Sequence, residues 1–520
     1  MMSKRKILWV DDEIQLLKPH ILFLESRGYE VLTATNGIDA LETVKKEMLS
    51  AVLLDEMMDG LDGLAVLEKI KELKAFLPVI MITKSEEESL MEDAIGRKIT
   101  DYLIKPVNPS QVLMILKKTL ERKDITREAF SVNFMQFLQS VNSDLMSGID
   151  SMSGFADIYA QMVRWETEFE PSHHEDLFMM YTDMKREVNQ QFEKFIIARY
   201  SDLVNSGDRL DIPFSPSVLD RFVTPQLRRG QKVLFILIDC MRYDQMLMIA
   251  PLIQEYFNID MQRHISILPT ATPYSRNAIF AGLYPSEIDR VFPEIYSNAE
   301  LDDSMNRFEG DLLTQYIQNR SLNLNGGMKY LKIIDSRQGE QAAQHFSDFS
   351  SHQFISLVIN FVDILAHRRS DNSLLQEILP DESSYRRIVR SWFEHSYIQQ
   401  ILRKASELGY TAVITSDHGS VIVNRSAMVK ADRETTTGTR YKTGNNLHVP
   451  GRAALHVKNP AEFRLPSMKL NSHFIFARED HYFVYPNNIR KYQKQMADSF
   501  QHGGISMDEM ILPVALCYPK

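Results

Sequence analysis

The apolar positions fall into three regimes along the chain. In residues 1–122, short apolar runs (KILWV, EVLTA, AVLLD, PVIMIT and DYLI) alternate with segments of helical period such as IQLLKPHILFLESRG and GLAVLEKIKEL. Strand and helix alternating in this way predict an α/β fold, a doubly wound parallel sheet with helices on both faces. In residues 123–225 the period changes: Phe130, Phe134, Leu138, Val141 and Leu145, then Leu177, Met180, Met184, Val188, Phe192, Phe195 and Tyr200, step by three and four. A single buried stripe at that spacing predicts a helical bundle, with breaks at Gly148, Gly154 and Pro171 and an exit through NSGDRLDIPFSPS. In residues 226–520 strand-like runs return in KVLFILI, FISLVI and YTAVIT, predicting a second α/β domain.

At 520 residues the chain exceeds one ordinary core, which agrees with three segments. No run reaches the ~18 to 20 apolar residues of a membrane span. The start, MMSKRKILWVDDE, has too short an apolar run for a signal peptide, so the expected location is the cytoplasm. Cys240 and Cys517 form no CxxC pattern; they predict neither a disulfide framework nor a thiolate zinc site, and read as small apolar fillers in strands. A net charge of −10 argues against a broad basic surface for nucleic acid, and short runs such as YRRIVR read as solvated helix faces.

The charged residues of the first segment fall at the carboxyl ends of strands, where parallel sheets place their sites. Asp11 and Asp12 follow the first run, Asp55 the third, Thr83 the fourth and Lys105 the fifth. Three crowded carboxylates repel one another, and a hard dication such as Mg²⁺ is the simplest compensation. Lys105 supplies a mobile point charge for an incoming phosphoryl group. In VDDE, LLDEMMDGLDGL, MIT and YLIKP the segment resembles the receiver domain of two-component response regulators. The resemblance implies that Asp55 accepts phosphate from a sensor histidine kinase and that Asp11, Asp12, Asp55 and the Met57 carbonyl hold Mg²⁺. It also implies that Thr83 and Tyr102 respond to phosphorylation and that Lys105–Pro106 is cis. The proline common after the phosphoacceptor is absent from Glu56-Met57-Met58-Asp59, a departure expected to change the loop and not the chemistry.

In the third segment apolar runs again end on acids and histidines. KVLFILIDCMRYDQ delivers Asp239, FISLVINFVDILAH delivers Asp363 and His367, YTAVITSDHGS delivers Asp417 and His418, and FQHGGISMDEMILPV delivers His502. Three Asp and three His suit zinc or manganese, because imidazole favours Zn²⁺ and carboxylates compensate two close dications. Two ions ~3.5 to 4 Å apart can hold the attacking and leaving oxygens of a phosphoryl displacement together, so the set fits phosphate-ester chemistry. Ahead of a predicted helix, LPTATPYSRNAIFAGLYP offers Thr270, Thr272 and Ser275 as nucleophiles, and the local pattern does not choose among them.

These elements resemble the alkaline phosphatase superfamily, especially its nucleotide phosphodiesterase branch, whose PTxT…GLYP motif lies on Pro269–Thr272 and Gly282–Pro285. The resemblance implies that Thr272, ten residues before Gly282, is the nucleophile, with Thr270 and Ser275 as scaffolding. It assigns one zinc to Asp363, His367 and His502, and a second to Asp239, Thr272, Asp417 and His418. Such a core within a response regulator resembles the PglZ domain, and the whole order of segments resembles the response regulators associated with type IX secretion. RETTTGTRYKTGNN, Arg433 to Asn446, reads as an exposed loop; as a lid it would offer Arg440 and Lys442 to substrate phosphates.

The expectation is therefore a receiver, a helical coupler and a zinc-dependent phosphodiesterase for nucleotides or cyclic oligonucleotides, acting in type IX secretion and forming a homodimer when Asp55 is phosphorylated. The alternative is a regulatory scaffold with a structural or ligand-sensing metal site, whose partner is a sigma factor or a component of the secretion machinery.

Overall fold

The computed structural model describes residues 5–47, 49–58, 62–74, 77–84, 99–169, 175–207, 210–297, 307–371, 373–430, 438–467, 473–486, 493 and 496–520. They form two compact units, Met1–Phe137 and Leu138–Lys520.

In the first unit, β1 (Arg5–Val10), β2 (Tyr29–Ala34), β3 (Ala51–Asp55), β4 (Val79–Thr83) and β5 (Asp101–Ile104) make one parallel sheet in the order β2-β1-β3-β4-β5. Its helices are α1 (Lys18–Ser26), α2 (Gly37–Lys46), α3 (Gly63–Leu73) and the start of α4 (Pro109–Ser147). The central strands β3 and β4 and the end of β1 are apolar and buried because both faces are covered, whereas the edge strands β2 and β5 are partly exposed. Along β1, Leu8 and Val10 pack with Ala40, Val44, Leu67 and Ile70 of α2 and α3, while Ile7 and Trp9 pack with Leu24 of α1 and Val112 and Leu116 of α4. Asn36 and Asp62 cap α2 and α3 by accepting hydrogen bonds from Asp39 N and Leu64 N. The strand order reverses between β1 and β3, whose carboxyl ends carry Asp11 and Asp55.

α4 runs without a break through residue 122, where the change of apolar period placed a segment boundary. No glycine or proline occurs between Ser110 and Ser147, so nothing in the backbone stops the helix. It ends at Gly148, which adopts φ 81. Gly154, expected as a break, lies in the first turn of α5 (Met152–Glu168), where its N–H donates to the capping Ser151 Oγ at 3.2 Å. Pro171 lies outside the described residues.

The second unit carries α5 and α6 (Glu175–Asn205) against a six-stranded sheet. That sheet is built from β6 (Lys232–Ile238), β7 (Phe257–Ile265), β8 (Met328–Ile333), β9 (Phe354–Ile359), β10 (Tyr410–Thr415) and β11 (Ile511–Pro519), in the order β7-β11-β10-β6-β9-β8. The four strands β10, β6, β9 and β8 are parallel, and β11 and β7 add two antiparallel pairings. One face, including Ile236, Leu357 and Ile414, packs on Met246 and Ile249 of α7 (Tyr243–Ile253) and, beyond α8 (Thr272–Ala281) and α9 (Phe361–Asp371), on Val389 and Phe393 of α10 (Glu382–His395). On the other face Phe235 meets Phe280 of α8, with ring centroids 6.1 Å apart. Asp239, Thr272, Asp363, Asp417 and His418 all lie just beyond strand ends or in the first turn of the helix that follows. Among the described residues no helix is long and apolar enough to cross a membrane.

Two charged side chains behave differently from solvated ones. Arg386, in the run YRRIVR, is buried and donates to Glu166 of α5 and to Asp244 at 3.0 Å. Glu193 of α6 is fully buried, accepting from Asn189 Nδ2 at 3.1 Å, Arg478 Nε at 3.3 Å and the Glu479 backbone N–H. Burial pushes its carboxyl from an ordinary 4.5 up to about 7, against the lowering effect of those donors. The folded state therefore binds a proton between pH 4.5 and 7 that the unfolded chain releases, and stability from this group falls as pH rises through that window. Glu193→Gln is expected to flatten the pH dependence of urea unfolding there; an unchanged slope would show that Glu193 is ionised in the fold.

Candidate metal centres

In the first unit Asp11 and Asp55 are buried and Asp12 is exposed, and one oxygen of each lies within 4.8 Å of the others. Lys105 Nζ donates to Asp55 Oδ2 at 2.7 Å and to Asp11 Oδ2 at 3.1 Å. Burial raises the Asp55 carboxyl, with Lys105 pulling the other way and Asp11 and Asp12 adding to the rise. An all-oxygen donor set under this mutual repulsion fits a hard dication. Thr83 ends β4, Tyr102 is about one-third exposed on β5, and Lys105–Pro106 is cis. Met57 exposes its side chain in the loop after β3; Asp59 lies outside the described residues.

In the second unit the six acids and histidines converge as two groups, Asp363–His367–His502 and Asp239–Asp417–His418, each with ligand atoms within 4.8 Å. The groups touch: the rings of His418 and His502 stack with centroids 4.1 Å apart. Asp363 Oδ1 is buried without a hydrogen bond, facing His367 Nε2 at 3.3 Å and His502 Nε2 at 3.7 Å. The two Nε2 atoms are themselves 3.4 Å apart. An orphaned carboxylate oxygen facing two imidazole nitrogens fits a cation with mixed oxygen and nitrogen preference such as zinc. Burial, with His418 next, pushes His502 down to about 3, leaving its imidazole neutral with a lone pair to give. Thr272 Oγ1 lies 3.0 Å from His418 Nε2 and 3.4 Å from Asp239 Oδ1, at the first residue of α8.

Of the three hydroxyls, only Thr272 reaches a candidate metal group by a recorded contact. Thr270 Oγ1 donates to Gly504 O at 2.9 Å and accepts from Gly503 N at 3.0 Å, and Thr270 O faces His502 Nδ1 at 3.1 Å. It ties the turn at Thr270–Thr272 to the loop that carries His502. Ser275 is fully buried, with its Oγ 2.9 Å from Ser266 Oγ.

Arg276 escaped the sequence reading. Four residues after Thr272, it shares that residue's helix face. Its guanidinium is fully buried; Nε donates to Asp417 Oδ2 at 2.9 Å, Nη2 pairs with Asp239 Oδ2, and Nη1 donates to Glu309 Oε1 at 3.2 Å. Burial drives the Asp239 carboxyl well above its ordinary range, with Arg276 opposing it; for Asp417, Arg276 and His418 outweigh burial and the carboxyl is lowered. The i, i+4 spacing was the available signal; Glu309, held also by Lys332 Nζ at 3.1 Å, gave none.

Three expectations are corrected. Arg440 does not face a substrate: its guanidinium is fully buried, with Nε and Nη2 on Glu509 at 2.9 and 2.8 Å, and Glu509 Oε1 accepts from Gly504 N at 2.9 Å. Lys442 is buried on a strand, Tyr441–Gly444, its Nζ 4.7 Å from the Tyr485 ring centroid. Charge pairing and ring stacking let these cations sit inside, so a polar sequence did not mean an exposed loop; residues 433–437 of that stretch lie outside the described residues. Cys517 is in β11 as expected, whereas Cys240 is in the turn after β6 at φ 62, its N–H 3.3 Å from Asp417 Oδ1.

Residues 218–516 match the family described as the BREX system PglZ alkaline phosphatase-like domain. The chain belongs to the PglZ family. Residues 7–117 match the response regulator receiver domain and 124–204 the PorX response regulator linker domain, so the whole is a PorX-type response regulator with a PglZ output domain. The chain is 34% identical over 123 residues to the alkaline phosphatase synthesis transcriptional regulatory protein PhoP of Bacillus subtilis, covering 23% of this chain and 50% of that protein. It is 35% identical over 124 residues to the transcriptional regulatory protein ResD of the same organism, covering 24% and 51%. The chain thus spans about half the length of the curated relatives it matches. A receiver domain from Methanospirillum hungatei JF-1 aligns at 28% identity and a TM-score of 0.23, over 24% of this chain and 99% of that one.

Removing Arg276 would leave the Asp239, Asp417 and Glu309 carboxylates buried without their shared counter-charge. Breaking such a pair costs about 3 to 5 kcal/mol. Arg276→Met is expected to lower the metal-free PglZ unit's stability by about that much, measured by urea unfolding in chelator. Wild-type stability in the variant would mean the carboxylates are not ionised together.

Proposed function

We propose that this response regulator's PglZ domain is a zinc-dependent phosphodiesterase with Thr272 as nucleophile, acting on nucleotides or cyclic oligonucleotides. Type IX secretion is the process it would regulate, and a sensor histidine kinase the donor of its phosphate. The observation that carries the reading is Thr272 Oγ1 placed 3.0 Å from His418 Nε2 and 3.4 Å from Asp239 Oδ1, beside a second group with an orphaned carboxylate oxygen.

Asp363, His367 and His502 would hold one zinc and Asp239, Asp417, His418 and Thr272 the other; bound there, zinc supplies positive charge that favours the threonine alkoxide and the anionic phosphoryl oxygens. Thr272 Oγ attacks phosphorus in line, forming an O–P bond as the ester P–O bond breaks; the hydroxyl proton goes to solvent and the leaving alkoxide takes one from solvent and departs as the alcohol. Water then attacks phosphorus, the P–Oγ bond breaks, Thr272 regains its proton and the phosphate monoester is released. The amino end of α8 points partial positive charge at the same anion. Thr270 holds the turn against Gly503 and Gly504, and Arg276 holds Asp417 and Asp239, the second of which contacts Thr272.

In the receiver, Asp55 is the phosphoacceptor; Asp11, Asp12, Asp55 and the Met57 carbonyl would hold Mg²⁺, which would supply positive charge for the phosphoryl oxygens. Lys105 leaves Asp55 Oδ2 for the bound phosphoryl group, and Thr83 and Tyr102 follow it. The altered contacts shift a pre-existing equilibrium towards a homodimer.

Thr272→Ala is expected to lower hydrolysis of bis-p-nitrophenyl phosphate and short cyclic oligonucleotides at least 100-fold while zinc remains bound, on the order of the loss seen when a nucleophile is removed. Unchanged turnover in that variant rejects the nucleophile. Acetyl phosphate is expected to shift the wild type to a dimer in size-exclusion light scattering and to leave Asp55→Ala monomeric; a dimer of the variant under that treatment rejects the switch.

A further inference from the structure

The loop that carries His502 has two faces. Its inner face is fastened to the nucleophile turn through Thr270 and Glu509: Glu509 Oε1 accepts from Gly504 N at 2.9 Å, and Thr270 Oγ1 accepts from Gly503 N at 3.0 Å. Its outer face meets the linker helices. Asp508 Oδ1 accepts from Tyr159 OH of α5 at 2.9 Å and pairs with Lys185 Nζ of α6 at 3.1 Å. Met507 N donates to Asn189 Oδ1 of α6 at 2.9 Å.

A second metal-site segment is gripped from the same side. Three residues after Asp239, Arg242 turns outward and pairs with Asp244 and Glu382, each at 2.7 Å. Lys185 also reaches Glu166 at 3.1 Å and Glu382 at 3.7 Å, and Arg386 bridges Glu166 to Asp244. The seam thus joins the acids Glu166, Asp244, Glu382 and Asp508 to the bases Lys185, Arg242 and Arg386, all shielded from solvent or nearly so. Lys185 contacts three of the four acids and is the base contributed by α6. A cavity of about 760 Å³, lined in part by Tyr181, Lys185, Asn189, Glu382 and Asp508, opens beside it. On that side α6 is held by these polar contacts and by Tyr181, whose ring centroid lies 5.6 Å from that of Phe169.

We propose that Lys185 and Asn189 of the linker are positioning residues for the PglZ metal site: by holding Asp508 and Met507 they set the loop that presents His502. The linker is then part of the site's foundation, and a displacement of α6 loosens the ligand loop before any other part of the site. This rests on the metal reading given above. Partners behind a metal ligand are worth about 10- to 100-fold in affinity when removed.

The test is zinc titration of the full chain by calorimetry, with steady-state hydrolysis in parallel. Lys185→Met and Asn189→Ala are each expected to weaken one zinc equivalent at least about tenfold, to leave the other within twofold, and to lower kcat with little change in KM. Lys185→Arg, which keeps the charge, is expected to restore most of the lost affinity. If Lys185→Met does not fold, Asn189→Ala decides by the same criterion. Wild-type zinc affinity in both variants overturns the proposal, as does an equal loss of both equivalents that Lys185→Arg fails to restore. A wild type that binds two zincs and cleaves no phosphate ester would reject the phosphodiesterase reading, while the zinc comparison would still decide the role of the seam.

Discussion

Carboxylates brought together at strand ends must be neutralised, and both units are organised around that constraint. Two carboxylates a few ångströms apart in a poorly solvated setting cannot both stay ionised without a counter-charge. In the receiver, Asp11 and Asp55 share Lys105. In the PglZ domain, Asp239 and Asp417 share Arg276, which hands the excess charge on to Glu309 and Lys332. Asp363 has an imidazole in that role: burial works against its ionisation, but His367 above all holds its carboxyl below the ordinary range. At Asp363 this leaves one buried carboxylate oxygen without a hydrogen bond, which is what a metal ion needs from a protein.

Neutralisation alone would not fix distances, and the second unit adds a layer that does. The turn at Thr270–Thr272 and the loop at His502–Glu509 are cross-tied by Thr270, and Glu509 at the base of that tie is clamped by the fork of Arg440. Two orders of support therefore stand behind Thr272: Arg276 behind the carboxylates, and Arg440 with Glu509 behind the loop. Planar guanidinium forks suit both places, because each must hold two acceptors in one plane without titrating.

The parts of this plan legible in the sequence are those tied to backbone periodicity. A strand buried on both faces reads as an unbroken apolar run, and its carboxyl end shows as the first acid or histidine after it. For that reason Asp11, Asp55, Asp239, Asp363, Asp417 and His418 could be placed before any geometry. Pairing across the chain left no such mark. Arg440 and Glu509 are 69 residues apart, and Glu166 and Arg386 are 220 apart. A buried arginine beside its acid has the same local pattern as an exposed one, so Arg440 and, within YRRIVR, Arg386 were misread in the same direction, whereas Arg387 and Arg390 are exposed as expected. The helix through residue 122 was missed for the complementary reason: the apolar period changes along it, while a backbone free of glycine and proline from Ser110 to Ser147 does not break.

The choice of cation at the two centres follows from what each is asked to do. Lys105 is partly exposed, contacts both acids through one nitrogen, and ends a flexible stem. Such a group can exchange Asp55 Oδ2 for a phosphoryl oxygen without dismantling its surroundings. Arg276 is fully buried and uses three nitrogens on three different acids, so moving it would strand all three at once. One centre is therefore free to rearrange when its charge changes, and the other is held fixed by its shared cation. A chain that carries both needs an element whose position the first can alter and on which the second rests. Within the PglZ unit, α6 meets the second condition through Lys185–Asp508 and Asn189–Met507, contacts made on the loop that carries His502.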